Sequence, residues 1–97
     1  MGLAQQYIAA YKLERELHLK ILLDSEFVEF REKLINQVYK EVGDFYSSQD
    51  AVFYSSQDAV FACGEFALVE AWLAGQPSPE FMNYLVQEAH RIHREDY

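Results

Sequence analysis

From residue 41 to residue 90 the chain has no lysine and no arginine, yet it carries eight carboxylates there: Glu41, Asp44, Asp50, Asp58, Glu65, Glu70, Glu80 and Glu88. The whole formal net charge of -8 is held in that stretch. Residues 1–40 balance six basic against six acidic side chains, and residues 91–97 balance two against two. Such a field repels phosphate and attracts basic surfaces, which argues against direct nucleic-acid binding and for a partner of opposite charge. A purely solubilising face is the plainer alternative.

Other scarcities narrow the class. The single cysteine, Cys63, allows no intramolecular disulfide and suggests a reducing compartment. Four glycines, Gly2, Gly43, Gly64 and Gly75, leave no room for a phosphate-cradling loop, and no GxGxxG, phosphate-loop or HExxH pattern occurs. No apolar run reaches the roughly 18 residues of a membrane span. The N-terminus lacks a basic-then-apolar leader pattern, and Gln6 stands where a myristoylation motif wants Ser or Thr. A cytoplasmic protein with no membrane contact is the expectation.

What is present is helix-forming sequence. Ninety-seven residues, 51% hydrophobic and 25% charged, suit a single domain over 1–97 with one modest core. Leu3 to Leu23 has apolar residues at helical spacing, Ala4, Ile8 and Tyr11 on one line and Leu13, Leu17 and Ile21 on another. Asp24-Ser25 supplies N-cap chemistry for a second helix over about 26–42. Its apolar face is Phe27, Phe30, Leu34, Ile35, Val38 and Val42, with Gly43 expected to close it in the left-handed conformation.

An identical tandem octapeptide follows, Phe45–Val52 repeated as Phe53–Val60. It is far shorter than solenoid repeats of about 20–50 residues, and its perfection suggests a recent duplication or an engineered insertion. Each copy has its own capping-box pattern, Ser47 with Asp50 and Ser55 with Asp58, so a third helix has two places to start. Starting at Ser47 lengthens it by about 12 Å and is favoured, because starting at Ser55 exposes Phe45, Tyr46, Val52 and Phe53. Reading through Gly43 to fuse the second and third helices would invite a domain-swapped dimer.

Phe61–Ala74 is the most apolar stretch, with only Glu65 and Glu70 charged and the single tryptophan, Trp72. It predicts a buried central helix over 56–74, extended back to 47 in the longer version. Small residues Gly64, Ala67, Ala71 and Ala74 line one side for close helix approach. Gly75 and Pro77 end it, and Ser78-Pro79 opens a fourth helix over 79–94 with inner residues Phe81, Leu85, Ala89 and Ile92. The expected architecture is all-α, a compact, antiparallel bundle of about four helices; a less regular array with crossed pairs is the alternative.

Candidate sites follow from residue type and spacing. Glu65 and Glu70 lie about 140° apart around a helix, so they cannot converge on one ion, and each is expected to reach the surface. His90 and His93, at i and i+3, could share a metal with a carboxylate from another helix, but the Glu-x-x-His pattern of two-metal bundles is missing. They suit the negative end of the fourth helix instead. His18 reads as a surface residue and Cys63 as a small core thiol.

The leading expectation is a non-enzymatic, cofactor-free acidic module that regulates or inhibits a protein with a basic surface, with self-association into a homodimer as a variant. Its contact residues would be Phe45, Tyr46, Asp50, Phe53, Tyr54, Asp58, Glu65 and Glu70. The alternatives are a bundle binding a metal or small ligand through His90, His93 and a glutamate, and a structural subunit of a larger assembly.

Overall fold

The structure, a computed structural model, describes residues 2–97; the side chains of residues 7–14 and 18 lie outside the description. His18 and much of the expected apolar stripe of the first helix therefore fall outside the described residues. The chain is an all-α compact bundle. Five helices run among the described residues: α1 (Leu3–Leu22), α2 (Ser25–Gly43), α3 (Gln49–Ala62), α4 (Glu65–Leu73) and α5 (Pro79–Asp96).

Helix α2 is the element the others are built around, since α1, α3, α4 and α5 all pack against it. Its start is set by Asp24, whose carboxylate accepts from the backbone N–H of Glu26 at 2.8 Å and of Phe27 at 3.4 Å. That satisfies donors which the first turn of a helix otherwise leaves open. Phe27, Leu34, Ile35, Val38 and Val42 then form a buried line along its inner side. Gly43 closes the last turn in ordinary helical conformation without the expected left-handed cap; among the described residues only Gly64 and Gly75 have positive φ. The chain turns between Asp44 and Ser48, so α2 and α3 are not fused.

The expected central helix is broken in two. At Gly64 the backbone takes φ 95° and ψ 148°, a region that glycine alone adopts readily, and this ends one helix and starts the next. The apolar stretch 61–74 consequently does not form a helix buried all round. Leu68 and Val69 face the core, while Phe61, Phe66 and Leu73 are exposed. The small-residue line fails with it, because Gly64 lies outside the helix, Ala67 and Ala71 are only half-buried and Ala74 is exposed.

Helix α3 starts in the first copy, the favoured choice, with Ser48 rather than Ser47 as its N-cap and no side-chain capping bond, and the Ser55 of the second copy lies mid-helix. Eight residues advance a helix by about 80° beyond whole turns, which is less than the width of the buried face. Val52 and Val60, equivalent positions of the two copies, are therefore both fully buried. Ser78 caps α5 by accepting from Phe81 N–H at 3.1 Å, and Pro79 occupies the first helical position. Leu85, Val86, Ala89 and Ile92 seal the core from that side. Among the described side chains of α1, only Ile21 and Leu22 pack on the core.

Candidate functional site

The two copies of the octapeptide have the same sequence but different environments at their tyrosines and serines. In the first copy, Phe45 and Tyr46 sit in the turn between α2 and α3 and reach α5. The Tyr46 hydroxyl lies 3.0 Å from His90 Nδ1, and its ring lies tilted against His93 with centroids 3.9 Å apart. Phe45 presents its edge to His90 at 5.1 Å while remaining 72% exposed. His93 is buried, and its Nδ1 has no hydrogen-bond partner among the described residues. Burial pushes the His90 imidazole below its ordinary value, and the neighbouring Arg94 and His93 push it further down. Helix α5 positions both histidines, because residues three apart share a face.

In the second copy, the equivalent aromatics point outward. Phe53 lies edge-on to Tyr39 at 6.0 Å and to Tyr54 at 6.1 Å. Phe53, Tyr54 and Phe61 are 39%, 54% and 49% exposed, whereas Ser55 and Ser56 are fully buried. Burying two hydroxyls costs little here, since each donates to Val52 C=O within its own helix, Ser55 at 3.0 Å and Ser56 at 2.8 Å.

Asp50 and Asp58 flank the same outward face. Asp58 accepts from the Tyr97 hydroxyl at 2.7 Å, tying the end of α5 to α3. That bond to a carboxylate pushes the Tyr97 hydroxyl up from its ordinary value. The guanidinium of Arg31 stands 5.3 Å from the Phe61 ring centroid and 5.9 Å from that of Phe27.

The expected contact residues thus divide. Asp50, Phe53, Tyr54 and Asp58 come together on the outer face of α3. Phe45 and Tyr46 are drawn away to α5. Glu65 and Glu70 are exposed on α4. Cys63 is half-buried, donates to Val60 C=O at 2.9 Å, and burial pushes its thiol up. Such a thiol is a poor nucleophile. No group of three or more His, Cys, Asp and Glu close enough to hold a metal occurs among the described residues. No described helix is long and apolar enough to cross a membrane.

Sequence reasoning missed two features: the aromatic clasp of Tyr46 with His90 and His93, and the Tyr97–Asp58 bond. Their partners are 39 to 47 residues apart, and nothing in the local pattern marks them. No family model, curated protein or solved structure matches the chain.

Proposed function

We propose that the protein is an acidic interaction module that regulates or inhibits another protein by covering a basic surface on it with the outer face of α3. One observation carries this reading: α3 turns Phe53, Tyr54 and Phe61 towards solvent while it buries Ser55 and Ser56 beside Val52, Ala59 and Val60. A helix shaped by packing alone buries its aromatics and exposes its serines. Tyrosine and phenylalanine side chains are enriched where protein partners make their strongest contacts. The flanking Asp50 and Asp58 match Phe53 and Tyr54 to a partner rich in basic groups, while Arg31 of α2 already stands on the Phe61 ring.

The test is affinity capture from a lysate of the source organism, with the wild-type chain and a Tyr54→Ser/Phe61→Ser variant, washed at low and high salt. A basic protein held by the wild-type chain at low salt, released at high salt and lost by the variant supports the reading. A retained protein that binds the variant equally well refutes the α3 face as the contact. An acidic protein, or none, refutes the electrostatic argument.

A further inference from the structure

A second concave feature lies on another side of α2 from the α3 face. Two recesses, of about 450 and 370 Å³, meet there and share Phe30, Lys33 and Gly75 as lining residues. One wall is a single line of α2, running from Glu26 through Glu29, Phe30, Lys33 and Leu34 to Gln37. The other wall is the end of α4 and the turn after it. The eleven helical steps from Glu26 to Gln37 span about 16 Å, the length of about five residues of extended chain. Gly75 forms the junction at φ 87°, and a Cβ placed there would meet nothing within 4 Å, so the mouth of the groove is open.

The two ends differ chemically. At one end, Glu26, Glu29, Phe30 and Trp72 line the same recess. The C-terminal end of α4, with its outward carbonyls, adds partial negative charge. Trp72 is held there by its edge contact with Phe27, centroids 5.6 Å apart. Carboxylates and aromatic faces that line one recess both attract a guanidinium or ammonium group, and Arg31 already sits against two phenylalanine rings in this chain. The only cation lining the groove, among the described residues, is Lys33, in an exposed pair with Glu29 at 3.4 Å; such pairs are weak and readily exchanged. At the other end, Leu34 and Met82 give an apolar floor, and the side-chain amides of Gln37 and Gln76 can bond an extended backbone.

We propose that this groove binds a short extended segment of the partner protein, with an arginine or lysine seated against Trp72, Glu26 and Glu29 and an apolar side chain on Leu34 and Met82. The inference rests on the reading of the protein as a module for a basic partner and adds a second, sequence-selective contact to it. The α3 face supplies breadth, and the groove selects a cation followed by an apolar residue.

Trp72 is the single tryptophan, so its emission reports on the groove alone. The probe is an end-capped Arg-Leu-Arg-Leu-Arg peptide, titrated into the full chain, with the same peptide carrying neutral citrulline in place of arginine as the control. A saturable change in Trp72 emission is expected with the arginine peptide. It should weaken about tenfold in a Glu26→Gln/Glu29→Gln variant and with the citrulline peptide, a change of about 1.4 kcal/mol. The Tyr54→Ser/Phe61→Ser variant should leave it unchanged. Both glutamates are exposed and neither caps α2, so circular dichroism should show the variant folded. An unmoved Trp72 signal, or equal binding by the glutamine variant or the citrulline peptide, overturns the groove. Because this readout is independent of the lysate capture, failure of one leaves the other to be judged separately.

Discussion

The Tyr46 hydroxyl meets His90 Nδ1 at 3.0 Å, joining the turn after α2 to the fourth turn of α5 across 44 residues of sequence. The bond holds the tyrosine of the first octapeptide in the fold, while the equivalent Tyr54 of the second is exposed. A part-buried hydrogen bond of this kind contributes about 0.5–1.5 kcal/mol. Tyr46→Phe keeps the ring on His93 and removes only the hydroxyl, so chemical denaturation should show a loss in that range. An unchanged midpoint would mean that the ring contact alone fastens the turn.

Acidity should loosen the same clasp. His90 is held below its ordinary value in the folded chain by burial and by Arg94 and His93. On acidification the unfolded chain takes up its proton first, near pH 6.5. The stabilising contribution is therefore complete above that pH and is lost as pH falls from about 6.5 through the lower folded value. The melting temperature should drop between pH 7 and 5.5, and the drop should shrink in His90→Gln. An equal slope in both proteins would assign the effect to other groups.

Gly64 is the hinge between α3 and α4, with φ 95° and ψ 148°. No neighbouring atom lies within 4 Å of an added Cβ, so the obstacle there is backbone conformation rather than space. Gly64→Ala should cost about 1–3 kcal/mol, read as a lowered denaturation midpoint. A stabilised variant would indicate that the chain prefers one continuous helix over 49–73.

The two octapeptides are identical, so deleting Phe53–Val60 yields the same chain as deleting Phe45–Val52. The one copy left can supply either the turn that carries Tyr46 or the fully buried Ser55, Ser56, Ala59 and Val60 of α3, a helix that packs against both α2 and α5. The shortened chain should melt at a lower temperature and less cooperatively by circular dichroism. A sharp transition at the original temperature would show that one copy suffices for folding.

Core and surface apolar residues should separate cleanly. Phe27 is fully buried and edge-on to Trp72, so Phe27→Ala should cost about 3–5 kcal/mol. Leu73 is 68% exposed, and Leu73→Ala should change stability by no more than about 0.5 kcal/mol. A large loss at Leu73 would reveal that its surface is covered in solution.

Much of the fold was legible in the chain. The all-helical class, the Asp24 and Ser78 caps and the inner line of α2 follow from spacing and capping chemistry, which act over one or two turns. The expectation of a buried helix over 56–74 failed for a reason that composition does not show. Hydrophobicity says that a segment prefers to leave water, but not which of its sides a neighbour will cover. Gly64 broke that segment, and α2 took the central place.

By itself, then, the sequence determined where helices could form, where the charge would lie and that two identical octapeptides would stand in tandem. Tertiary structure alone decided that those octapeptides would differ. A step of eight residues keeps Val52 and Val60 on the buried side of one helix, while Tyr46 lies before that helix begins and Tyr54 within it. One tyrosine therefore meets α5 and the other meets solvent. The pairing of Tyr46 with His90 and of Asp58 with Tyr97 depends on how α5 packs across α3, a long-range arrangement with no local signature.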